Sequence, residues 1–175
     1  MTEKKKRVNS KQKGSEYERK IAKILSKYWG EDFHRTPMSG GLHWKEDNRV
    51  AGDIVTPPES VYPFTTECKK RQEWSMDQLL KGTGEIEEWW NQAVGDSVRV
   101  KLKPLVIFAK NFSPDFMMLR YEDFKPLEDK IESPKFNYFV VNSPKHEPRV
   151  ICQLSDFIKH ISKSDILEAY GLDEK

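Results

Sequence analysis

Glu67 and Lys69 stand two residues apart in the stretch VYPFTTECKK, which is rich in β-branched and aromatic residues and is expected to form a strand over Val61–Lys69. Side chains two apart on a strand share a face, so Glu67 and Lys69 project together while Phe64, Thr66 and Cys68 project the other way, toward apolar packing. Asp53 lies in AGDIV, within a second expected strand over Ala51–Thr56 that Pro57 and Pro58 close. About one hairpin separates the two strands, so neighbouring strands bring the Asp53 and Glu67 carboxylates side by side. Two carboxylates with positions left open to water suit Mg²⁺, which binds a few oxygens and keeps several waters. Such an ion polarises a phosphodiester and lowers the pKa of an attacking water. A lysine beside it orients that water or offsets charge on the phosphate.

Each of these residues also has a plainer reading. Four E-x-K triplets occur, at Glu3, Glu18, Glu67 and Glu128. Chance alone gives roughly two, so the pattern means little by itself. Only the one at Glu67 sits in a strand context preceded by Gly-Asp-Ile-Val, and the alternative there is a surface ion pair. Glu18 follows Ser15 in an S-x-x-E pattern, in which it caps a helix by returning to the Ser15 backbone. His34 and His43 are nine apart on different elements and match no zinc spacing, and His146 and His160 have no partner in sequence. Cys68 reads as a buried strand residue rather than a nucleophile. Lys81-Gly82-Thr83-Gly84 lacks the spacing of a phosphate-binding loop. Trp74, Trp89 and Trp90 are candidates for stacking on bases. Helical spacing places Trp89, Trp90, Ala93 and Val94 toward the core, with a dimer contact as the alternative for Trp90. Gln92 is a candidate support for the site from its helix, whereas Gln78 reads as a solvated helix face.

The elements that position these residues follow from periodicity and breakers. Tyr17, Ile21, Ile24, Leu25 and Tyr28 form one apolar stripe, which predicts a helix over Ser15–Trp29 with Ser15 as N-cap and Gly30 as its stop. Phe33–Thr36 reads as a short strand and Pro37–Asn48 as a loop. Ser75–Asp96 reads as helix broken near Gly82 and Gly84. PLVIFA, residues 104–109, is a short apolar run typical of a strand buried on both faces. Asp115–Tyr121 and Phe136–Val141 read as strands, and Ser155–Ile161 and Ser164–Tyr170 as short helices. The expected fold is α/β (α+β), with a central mixed β-sheet flanked by helices. The expected organisation is a basic flexible arm over 1–13, a core over 14–121 and an extension over 122–175 packed on the same domain.

Charge is unevenly placed. The 175 residues carry a net charge of only +2, yet residues 1–29 hold ten Lys and Arg against three Glu. A basic end on an acidic body points to a localised polyanion contact. The alternative for the first thirteen residues is a solvated tail. No run approaches the eighteen or so apolar residues that a membrane span needs. The start, MTEKKKRVNSKQKGS, has no apolar stretch, and Cys68 and Cys152 are too few for a disulfide framework, so a cytoplasmic, reducing setting is expected.

Four segments match a known pattern together. They are Lys13-Gly14-Ser15-x-x-Glu18-Arg19, Phe33-His34-Arg35-Thr36-Pro37-Met38-Ser39-Gly40, Ala51-Gly52-Asp53-Ile54-Val55 and Glu67-Cys68-Lys69-Lys70-Arg71. In order and spacing the sequence resembles the PD-(D/E)XK nuclease superfamily, and more narrowly archaeal-type and phage Holliday junction resolvases. The resemblance covers about residues 13–110, including Trp89-Trp90-x-Gln92-Ala93. It implies a restriction-endonuclease-like core and metal-dependent DNA cleavage leaving a 5′-phosphate, with Mg²⁺ as cofactor and Mn²⁺ able to substitute. It implies Asp53, Glu67 and the Cys68 backbone carbonyl as metal ligands, Glu18 reaching the metal directly or through water, and Lys69 assisting the nucleophilic water. Lys13, Arg19, Arg35 and Ser39 fall where DNA contacts or site supports are implied. Lys70 and Arg71 lead out of the strand beside the site and are candidate phosphate contacts, with an ordinary charged exit loop as the alternative. The implied assembly is a homodimer on a four-way junction, in a prokaryotic cell or a phage-infected host. The leading proline of the motif is absent here, where Gly52 precedes Asp53. The alternatives are a restriction-like, nicking or repair endonuclease acting on duplex or flap DNA, and a non-catalytic recombination accessory protein.

Overall fold

A computed structural model describes residues 10–37 and 50–173. Helix α1 (Ser10–Trp29) is followed by two short strands, β1 (His34–Arg35) and β2 (Ile54–Val55), which pair antiparallel. Then come strand β3 (Phe64–Lys70), helices α2 (Met76–Lys81) and α3 (Glu85–Val100), and strands β4 (Lys103–Ala109) and β5 (Phe116–Arg120). Helix α4 (Tyr121–Glu128), strands β6 (Tyr138–Ser143) and β7 (His146–Gln153), and helices α5 (Leu154–His160) and α6 (Lys163–Tyr170) complete the order. The main sheet runs β3-β4-β5-β7-β6, with β3 parallel to β4 and the other pairs antiparallel. This is the mixed sheet expected from the sequence, with helices on both faces.

Alternation along the strands builds a core on each side of the sheet. Leu105, Ile107, Met117, Leu119, Val150 and Cys152 point to one face, where α1 contributes Ile21, Leu25 and Trp29. Val106, Phe108, Met118 and Ile151 point to the other, where Trp74, Leu79, Trp89, Trp90 and Ala93 cover them. Trp90 is fully buried, so it is not available as a dimer contact. Trp74 packs edge-on to Phe108 at 4.9 Å and is likewise a core residue. A large ring at helical spacing beside an apolar strand has more to gain from burial than from waiting on a partner.

Several boundaries differ from the sequence reading. Helix α1 starts at Ser10, so residues 10–13 of the expected arm are helical. Gln12 bonds Glu16 one turn on, and lysines have good helix propensity. Ser15 therefore lies inside the helix, where its hydroxyl donates to the Lys11 carbonyl instead of capping. That removes the capping-box reading of Glu18. Gly82 ends α2 in the left-handed region, and Gly84 precedes α3. Gln78 is not a solvated face: it completes a capping box with Ser75. Strand β7 and helix α4 were not expected, and β7 lies between β5 and β6 in the sheet.

Candidate active site

Strand β3 is an edge of the sheet, and its outward backbone groups need partners. The segment before β2 supplies them. Asp53 N–H donates to the Thr66 carbonyl at 2.8 Å, and Cys68 N–H donates to Asp53 Oδ2 at 2.8 Å. From the other side, Thr36 N–H donates to the Asp53 carbonyl and the Thr36 hydroxyl donates to the Gly52 carbonyl. Gly52 makes this approach possible. Its φ is +75°, and a Cβ there would lie 2.6 Å from the Thr66 carbonyl oxygen. Asp53 is thus docked on β3 beside Glu67 and Lys69.

Glu67 and Lys69 share a face of β3, as the strand period requires. Lys69 Nζ lies 2.9 Å from Glu67 Oε2 and 3.9 Å from Asp53 Oδ2, and it donates to Gln92 Oε1 at 3.3 Å. Gln92 reaches in from α3, so the helix that covers this face also orients the lysine. Glu67 is fully buried. Its only cationic partner within ion-pair distance among the described residues is Lys69, and neither carboxylate oxygen has an aligned hydrogen bond. Burial, and then the Asp53 charge, push its pKa up to about 8. Burial pulls Lys69 down, but the Glu67 and Asp53 charges outweigh it and hold the ammonium above the usual lysine range. Burial and the Asp53 charge push the Cys68 thiol far up, which agrees with its reading as a packed strand residue.

Glu18 enters from α1 and forms an ion pair with Arg35 on β1, both half-buried. Burial and Asp53 raise its pKa, against the lowering effect of Arg35. The two-residue strand β1 therefore aims Arg35 at a carboxylate of the site. Lys70 and Arg71 continue from β3 into a cleft of about 370 Å³ that Glu18, Lys69 and Lys11 also line. Lys13 lies in an adjoining groove with Tyr17, Lys20, Lys70 and Asn111. The Lys20 and Lys70 ammonium groups both lie over the Tyr17 ring, at 5.7 and 5.8 Å. Arg19 is exposed and lines a separate depression with Lys20 and Lys23. Ser39 and His43 lie outside the described residues. Lys20, Tyr17 and Asn111 were not singled out from sequence, because only the fold brings α1 and the β4–β5 turn together.

The donor set fits a divalent cation. A fully buried carboxylate with no aligned hydrogen bond is costly unless a charge compensates it. Asp53 and Glu67 present hard oxygens beside one another. Among the described residues no group of three or more His, Cys, Asp or Glu side chains is arranged to hold a metal ion. An open two-carboxylate site is the kind that leaves room for waters and phosphate oxygens.

A family model described as phage putative PDDEXK endonuclease matches residues 9–168. The chain belongs to that family. The match spans all four motif segments and both unexpected elements, α4 and β7. The chain is also similar to Protein D14 of Escherichia phage T5, at 27% identity over 92% of this chain and 99% of that protein. Among solved structures it is similar to Archaeoglobus fulgidus Hjc, a Holliday junction resolvase from an archaeal hyperthermophile, at 16% identity and a TM-score of 0.39. That alignment covers 93% of this chain and 99% of the other. No helix among the described residues is long and apolar enough to cross a membrane.

Proposed function

We propose that this phage endonuclease family member is a Mg²⁺-dependent, structure-selective nuclease that cuts branched DNA, four-way junctions above all, as a homodimer. The observation that carries the reading is the convergence of Asp53, Glu67 and Lys69 around a buried carboxylate that lacks aligned hydrogen bonds. Asp53, Glu67 and the Cys68 backbone carbonyl would hold the metal, with Glu18 beside them. When bound, the ion would polarise the scissile phosphate and acidify the attacking water.

The chain's own groups do the rest. Lys69, held by Glu67 and Gln92, stays charged and sits where it can orient the water and offset charge on the phosphate. Arg35 fixes the Glu18 carboxylate, so a phosphate need not do so. Lys13, Lys70 and Arg71 line the groove and cleft outside, where backbone phosphates would lie. A two-fold dimer presents two such sites, which suits paired cuts in a junction of matching symmetry.

The test of substrate class uses labelled four-way junctions and linear duplexes of the same sequence, in Mg²⁺. Paired, symmetric cuts on the junction, with the linear duplex left whole, are expected. Equal cutting of both would replace the junction reading with a duplex nuclease. Binding without cutting across several divalent metals would leave a DNA-binding accessory protein.

A further inference from the structure

The turn between β4 and β5 carries a feature that cleavage chemistry does not use. Phe112 is 108% exposed, by far the most exposed large apolar side chain among the described residues. Its φ is +58°, a region that bulky residues rarely occupy. The turn is held closed rather than loose. Lys110 N–H donates to Ser113 Oγ at 2.9 Å, and the same hydroxyl donates back to the Lys110 carbonyl. The Lys110 ammonium caps the Trp74 ring at 4.9 Å, and Asp115 just beyond pairs with Lys20 of α1 at 2.6 Å. These contacts fix both flanks of the turn while the ring stays in water.

Its place in the fold gives this a use. Arg71 N–H donates to the Ala109 carbonyl, tying the end of β4 to the basic exit of β3. Asn111, one residue before Phe112, lines the groove with Lys13, Lys20 and Lys70. The exposed ring therefore belongs to the residue next to Asn111 in the lining of a basic groove beside the candidate active site. Phosphate-binding lysines hold a nucleic acid in register, and an exposed ring offers a platform to any base not already stacked on both faces. Such bases occur at branch points, nicks and ends, and not inside a matched duplex. Trp74, Trp89 and Trp90 are buried and cannot take this part.

We propose that Phe112 stacks on an exposed base at the branch point and so gives the groove its preference for branched over linear DNA. This rests on the function proposed above and names the residue that reads the branch.

The experiment measures binding to a four-way junction carrying 2-aminopurine at the branch point, and to the matched linear duplex. It compares the full chain with Phe112→Ala and Phe112→Trp, each in an Asp53→Asn background to prevent cutting. Removing the ring is expected to lower the junction-to-duplex affinity ratio about 5- to 160-fold, the range that stacking one base on a ring commands. It is also expected to abolish the 2-aminopurine fluorescence change on binding, and the Trp variant to keep both. Thermal unfolding of the Ala variant should match the parent, because the ring packs on nothing. If the parent prefers the junction and the Ala variant matches it in ratio and fluorescence, Phe112 does not read the branch and the proposed function stands. If the parent shows no junction preference, the substrate reading fails and this inference falls with it.

Discussion

Glu67 concentrates the chemistry of the site in one side chain. A carboxyl whose pKa is about 8 in the fold and near 4.5 in the unfolded chain takes up a proton on folding across the range between. Stability of the metal-free protein therefore falls as pH rises from about 4.5 to 8, because the unfolded chain binds fewer protons there. Glu67→Gln removes the ionisation and keeps the shape. The metal-free variant should melt a few degrees above the parent at pH 8, with the gap closing near pH 4.5. Thermal scans at both pH values in EDTA check this, and identical melting at both would contradict the burial of that charge. The pairing of Glu67 with Lys69 was legible in the sequence, because a period of two needs only a strand. The burial of Glu67 was not, because its cover comes from α3; the sequence marks Gln92 as a candidate support from that helix, and the fold brings it to Lys69. Glu18 was misread locally for a similar reason: its partner Arg35 is seventeen residues away.

The site works at the scale of elements because an edge strand is completed by a turn. Asp53 is placed by backbone bonds to β3, and those bonds need Gly52 in the left-handed region. Gly52→Ala would push a methyl group into the Thr66 carbonyl and lift Asp53 off the strand. A loss of about 1–3 kcal/mol in stability is expected, together with a marked loss of cleavage. Denaturant unfolding and a cleavage assay on the same variant measure both. Wild-type behaviour in both would show that Asp53 is positioned some other way. Most elements were legible from periodicity: β3, β4, the break at Gly82 and Gly84, and the short closing helices. Strand β7 was not, since HEPRVICQ shows charges and a proline where a strand pattern would alternate. Its Arg149 is nonetheless fully buried, bonded to Glu87 of α3 at 2.8 Å and stacked near Trp90. A partner 62 residues away makes that charge tolerable, and no local pattern reveals it. Helix α4 is hidden by Pro126, and the first turn of α1 falls within the stretch whose Lys-rich composition points to a basic flexible arm.

At the scale of the molecule, the part of the forecast basic charge that falls within residues 10–29 lies along α1, where Lys11 and Lys13 meet Lys70 and Arg71 at the mouth of the candidate site, while Lys4, Lys5, Lys6 and Arg7 lie outside the described residues. DNA binding should weaken steeply with salt through counterion release. Lys13→Ala and Lys70→Ala should each flatten the log–log slope by about one and lower affinity on every DNA tested. Titrations across a salt series decide this, and unchanged slopes would mean that DNA runs elsewhere. The central claim is that Asp53 and Glu67 form a metal-dependent phosphodiesterase site. Its most direct test is cleavage of an end-labelled four-way junction by wild type, Asp53→Asn and Glu67→Gln, across a Mg²⁺ titration and in EDTA. Cutting should rise with Mg²⁺, vanish in EDTA and fall at least about a thousandfold in both variants, in keeping with the loss of electrostatic stabilisation at the reacting phosphate. Cutting that persists in EDTA, or that either variant leaves at the wild-type rate, would contradict the claim.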